Sequence, residues 1–106
     1  MAKSVDLGEE INQLTKTFPK DEIYVLTSQM KRAADSVILN IAEGSTGQSK
    51  AVFKVFLNYA LRSAIEVVSG LFVGLKRGYI EDNVFNKLYS EYESLVKMIT
   101  ALRNSL

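Results

Sequence analysis

The 106-residue chain contains neither cysteine nor histidine. Without cysteine there is no disulfide framework, no thiolate zinc site and no cysteine nucleophile, and a reducing compartment, the cytoplasm, is the expected location. Without histidine, imidazole zinc sites, Ser-His-Asp triads, histidine proton shuttles and the Glu-x-x-His signature of di-iron bundles are impossible. An excess of one charge is lacking too: 13 basic residues against 12 acidic ones leave a net +1, too little to draw the whole molecule to nucleic acid or an anionic membrane. Long apolar runs are missing as well. Asp6, Glu9 and Glu10 break up the stretch before Lys20, so no secretory signal is expected. Residues 64–75, the most apolar stretch, contain Glu66 and are flanked by Arg62 and Lys76, short of a membrane span. No low-complexity segment or tandem repeat is present, and no cofactor is implied.

What is present suits one domain over residues 1–106. The composition is 47% hydrophobic and 24% charged, that of a chain able to bury one core without a metal or disulfide. Three turn signals divide it: Pro19, the stretch 44–47 that opens and closes on glycine, and Gly78. They predict four helices, roughly over 3–17, 20–43, 49–77 and 82–103, with the Ser49 hydroxyl as the N-cap of the third. The second places Ile23, Leu26, Met30, Ala33, Ala34, Val37, Ile38 and Ile41 on one face. The fourth repeats the pattern with Val84, Phe85, Leu88, Tyr92, Leu95, Val96, Ile99 and Leu102. Short connections make successive helices antiparallel, so the expected fold is all-α, an antiparallel up-and-down four-helix bundle.

The third segment is the widest in apolar surface. Leu61, Ile65 and Phe72 extend beyond its main stripe, which points to self-association, because large apolar patches are uncommon on soluble monomers. The alternative is a central helix buried by the other three. At about 100° per residue, Ser63, Val67, Gly70 and Gly74 share a line along which a neighbouring helix can approach closely. Leu61, Ile65, Gly70, Phe72 and Gly74 are therefore the oligomer or close-packing candidates.

The run LTSQMKRAADSVILNIAEG over residues 26–44 resembles the second helix of the four-helix-bundle proteins encoded in intervening sequences of bacterial 23S ribosomal RNA genes. The resemblance continues through Phe53, Phe56, Leu57, Ala60, Ser63 and Glu66, then Gly74-Leu75-Lys76-Arg77-Gly78-Tyr79-Ile80, and spans the chain from Phe18 onward. It implies an up-and-down bundle that assembles as a homopentameric ring, with no established enzymatic activity. Relatives include accessory proteins of diversity-generating retroelements, which work with a reverse transcriptase and RNA and are strongly basic, as this chain is not. Ile38-Leu39 stands where the family usually has Pro-Ser, and Thr46-Gly47-Gln48 replaces the arginine that commonly follows Gly-Ser.

Four groups of residues are candidates for chemistry. Gln29, Arg32, Ser36, Asn40 and Glu43, spaced by three, four or seven, align along the edge of the second helix's apolar face, and Glu66 is placed to complete the seam. This set reads as hydrogen bonds fixing helix or subunit register in preference to a ligand pocket. A pocket or enzyme built from Asn40, Glu43, Glu66 and Tyr59 ranks last, since paired carboxylates here have no metal-ligand spacing. The stretch 44–50 holds small and basic residues but lacks phosphate-loop spacing and follows a helix, so a turn is expected there. Lys50, Lys54, Arg62 and Lys76 fall broadly on the outward side of the third helix, with Asn58 and Ser69 nearby. That strip is a candidate phosphate-contacting surface; a solvated face, or pairing with Asp6, Glu9 and Glu10 of a neighbouring subunit, is the preferred reading. The expected function is a non-enzymatic homo-oligomeric scaffold, with an RNA- or nucleoprotein-binding accessory module as the alternative, and no membrane partner.

Overall fold

Each segment of helical spacing becomes a helix in the computed structural model, which describes residues 2–47 and 49–106. These are α1 (Ala2–Thr15), α2 (Ser28–Gly44), α3 (Lys50–Lys76) and α4 (Asp82–Ser105). Contacts join α1 to α2, α2 to α3, α3 to α4 and α4 back to α1, which closes an up-and-down bundle with α1 and α3 on opposite corners. At 1.5 Å per residue, α3 accounts for about 40 Å of the 43 Å long axis. Leu7 and Ile11 of α1, Met30, Ala34 and Val37 of α2, Leu57, Ala64, Val67 and Leu71 of α3, and Leu88, Tyr92 and Leu95 of α4 form the core. Cutting one of these leucines to alanine is expected to cost about 2–5 kcal/mol, through lost burial plus the cavity left behind.

The entry to α2 departs from the expected continuous helix over 20–43. A 3-10 turn, Lys20–Glu22, leads into a π-helical turn, Ile23–Thr27, before α-geometry begins at Ser28. Hydrogen bonds from i to i+5 widen the turn and shift the phase of everything before it. Leu26 stays buried, but Ile23, expected on the core face, is 47% exposed. Val52 and Tyr59 of α3 and Leu102 of α4 are likewise exposed.

At the junction of α3 and α4 the Gly78 N–H donates to Leu75 O at 3.1 Å and the Tyr79 N–H to Gly74 O at 2.9 Å. Gly78 has φ +80°, and the two bonds form a Schellman motif that ends α3. The turn is pinned to the α1–α2 connection by Glu22, 8% exposed, whose Oε2 accepts from Arg77 Nη1 at 2.8 Å and from Tyr79 Oη at 2.9 Å. Phe18 packs beside Tyr79, with ring centroids 5.4 Å apart.

The whole of α3 is long and apolar enough to cross a membrane by length and composition, a broader apolar character than residues 64–75 alone suggested. Its inner side packs against α2 and α4, and Arg62 and Glu66 stand midway along its outer side.

Candidate functional site

The polar seam splits into two parts. Ser63 Oγ donates to Ser36 Oγ across α2 and α3 at 2.8 Å, and Asn40 Nδ2 donates to Ser36 O at 2.8 Å and Ser36 Oγ at 2.9 Å. These bonds fix the register of the two helices, as expected for boundary polar groups. Gln29, Arg32 and Glu66 instead line an open groove with Arg62 and Ser69, and their side chains make no hydrogen bond to one another. Glu43 joins neither part. Ser36 is level with Ser63, Met30 with Gly70, and Gly44 with Phe53 and Phe56, so Glu66 lies beside the first half of α2 while Glu43 is exposed at its end. The carboxylate pair considered from the sequence is not assembled, and Asn40 is already occupied. Among the described residues, no group of three or more acidic side chains is placed to hold a metal ion.

Two of the self-association candidates are used inside the chain. A Cβ on Gly70 would lie 2.6 Å from Met30 Cγ, and one on Gly74 would lie 2.7 Å from Ile80 Cδ1. Both glycines therefore serve close packing within the bundle and are not available to a neighbour. Leu61 is half-buried against the core. Ile65 and Phe72 remain outward, 58% and 51% exposed. Together with Val68, Tyr89 and Val96 they line an apolar groove between α3 and α4, with Glu93 and Lys97 at its edge. Phe72 packs edge-on to Phe85 and Tyr89, with centroids 4.9 and 5.7 Å away, which holds the exposed ring in a defined position.

The basic strip shares this outward side. Lys50, Lys54, Arg62 and Lys76 are all exposed, and among the described residues the ion pairs are Arg77–Glu22 and Lys87–Glu10, so none of the four is neutralised. At about 100° per residue, Ile65 and Phe72 fall within the arc that these cations occupy, so the face is mixed. Arg62 lies 6.0 Å from the centroid of the exposed Tyr59 ring, an aromatic neighbour that the spacing had not revealed. Asn58 is engaged by Arg103 Nη1 at 2.9 Å, and Ser69 Oγ donates to Ile65 O. On the opposite corner, α1 presents exposed Asp6 and Glu9, while Glu10 is bonded to Lys87 at 2.9 Å.

In the α2–α3 connection, Ser49 caps α3, its Oγ accepting from the Val52 N–H at 3.2 Å, as its position before the helix predicted. Gln48 lies outside the described residues, as does Met1. The groups whose titration is displaced move away from acid–base use. Hydrogen bonds from Tyr79, then the Arg77 charge, hold Glu22 below the usual carboxylate range; Gln13 does the same for Glu9. The Glu10 carboxylate raises Lys87, and burial pushes the Tyr92 phenol up. The Glu22–Arg77–Tyr79 cluster left no sequence signal, because Glu22 lies more than fifty residues from Arg77 and Tyr79 and no periodicity links them.

The fold and sequence have clear relatives. A crystal structure of a protein of unknown function from the S23 ribosomal protein family of Bacteroides thetaiotaomicron superposes with a TM-score of 0.89 at 25% identity, over 96% of this chain and 95% of that one. No curated protein matches the sequence. Residues 1–101 match the family model for the 23S rRNA-intervening sequence protein. With the bundle and its helix register in agreement, the chain belongs to the 23S rRNA-intervening sequence protein family.

Proposed function

We propose that this protein is a non-enzymatic scaffold that assembles with copies of itself through the outward face of α3. The observation that carries this reading is the exposure of Ile65 and Phe72 in continuity with the apolar α3–α4 groove. Such a surface gains from being covered. Electrostatics favour a second copy as the cover: the cations of α3 and the exposed acids Asp6 and Glu9 of α1 sit on opposite corners of the bundle. Pairing of one corner with the other is head-to-tail, the arrangement that generates rings when the rotation closes. Five subunits is the number implied by the resemblance described above. The absence of cysteine fits work in the cytoplasm, and Arg62 and Glu66 in the middle of α3 favour a partner other than a membrane. The non-catalytic reading is motivated by a chain without histidine or cysteine and by Glu43 and Glu66 standing at different levels of the bundle.

Size-exclusion chromatography with light scattering tests this. The expected result is one species several times the 11.8 kDa chain mass, dissociating as salt rises; a monomer at high concentration overturns it.

A second reading, an RNA- or nucleoprotein-binding module, is favoured by one observation: Lys50, Lys54, Arg62 and Lys76 of α3 are in no ion pair among the described residues and Arg62 stands beside Tyr59, so phosphate contact and stacking are available together. Salt-sensitive RNA binding that is lost on Lys54→Glu with Arg62→Glu is its expected outcome. RNA binding unchanged by those charge reversals contradicts it.

A further inference from the structure

The π-helical entry to α2 opens a cleft of about 590 Å³, away from the face of α3 used for assembly. Its lining includes Lys16 from the end of α1, Lys20 from the 3-10 turn and Lys31 from the first turns of α2, with no carboxylate among the lining residues. None of the three ammonium groups is ion-paired among the described residues. The remaining lining divides by chemistry. Ser28 supplies a hydroxyl, and Phe18, Ile23 and Tyr24 supply apolar surface. Tyr24 is 92% exposed. The Thr27 hydroxyl oxygen is sealed from the cleft and has no hydrogen-bond partner, a costly state for a polar group that a ligand in the cleft does not relieve.

Each of these features follows from the wide turn. The π geometry rotates Ile23 and Tyr24 outward beside the end of α1, and single π turns inside helices are frequent at functional sites. Glu9 lies within electrostatic reach of Lys16 and borders, with Asp35, a second hollow that Lys31 shares; with no carboxylate in the cleft's own lining, the three cations still favour an anion there. An inorganic ion leaves the exposed ring and Ile23 unused, whereas a ligand with a flat ring and a phosphate uses both halves, and the volume lies in the range of small-molecule sites.

We infer that this cleft binds a nucleoside phosphate, the phosphate among Lys16, Lys20 and Lys31 and the base against Tyr24. The reading is independent of the α3 interface and of the RNA alternative, which use other cations.

Amide chemical-shift titration of the full chain with AMP, adenosine and inorganic phosphate tests it. AMP is expected to shift residues around 15–31 with salt-sensitive affinity, and both fragments are expected to bind more weakly. Lys16→Gln and Lys31→Gln, which alter exposed side chains, are each expected to weaken AMP by roughly tenfold, the equivalent of one charge-assisted hydrogen bond. Tyr24→Ala reduces AMP binding but not phosphate binding. Lys97→Gln, on the α3–α4 side, leaves both unchanged. Absence of AMP-induced shifts, or affinity unaffected by Lys16→Gln and Lys31→Gln, overturns the site. Phosphate binding as tightly as AMP overturns the nucleoside part. A short single-stranded RNA that occupies the same residues more tightly than AMP overturns the small-ligand reading.

Discussion

At the scale of single residues, the groups that depart from an ordinary bundle are Glu22, Thr27 and Gly70. Glu22 holds two chain connections together through Arg77 and Tyr79, and those donors keep its carboxyl below the usual range. The sign follows from linkage: a carboxylate with a lowered folded pKa contributes stability above its unfolded pKa, about 4.3, and loses it as pH falls through the folded value. Glu22→Gln is therefore expected to lower Tm at neutral pH and to have a much smaller effect near pH 3, as measured by thermal unfolding across pH. Thr27→Val keeps the shape and removes an unpaired buried hydroxyl. It is expected to stabilise the ligand-free protein by about 1 kcal/mol in urea unfolding. Gly70→Ala gains helix propensity of about 1 kcal/mol but drives a methyl into buried Met30, where overpacking costs about 1–3 kcal/mol. Net destabilisation is expected, relieved when Met30 is shortened to Val in the same chain.

At the scale of elements, the ends of the helices were legible where a single residue type does the work. Ser49 as the cap of α3 and Gly78 as the end of it followed from the chemistry of hydroxyl caps and of positive φ. Nothing lies within 4 Å of a Cβ on Gly78. Gly78→Ala is thus expected to cost about 1–2 kcal/mol from backbone strain alone, visible as a lower urea midpoint with unchanged slope. The start of α2 was not legible. A π turn has no composition of its own, and Ile23 continues the 3.6-residue pattern so well that the pattern hides the phase shift. Likewise, the line of Ser63, Gly70 and Gly74 correctly marked a close approach, but spacing cannot say whether the approaching surface belongs to the same chain. The structure assigns it to Met30, Ile80 and Ser36. The seam divides for the same reason: Ser36 and Asn40 bond to each other and Ser36 to Ser63, whereas Glu43 on α2 and Glu66 on α3 stand at different levels of the bundle.

At the scale of the molecule, four helices, their order and the excess apolar width of α3 were readable from periodicity and turn signals. The family resemblance from Phe18 onward agreed with the match over 1–101. What periodicity could not supply is the division of that width into an inner half, buried by α2 and α4, and an outer half where Ile65 and Phe72 stand among unpaired cations. That division is the basis for the proposed self-assembly through α3. The most direct measurement is sedimentation equilibrium of Phe72→Glu beside the wild-type chain, with circular dichroism to verify the bundle. A folded monomer from the variant and a larger assembly from the wild type is the predicted result. An assembly of unchanged mass from a folded Phe72→Glu would contradict the assignment of that face.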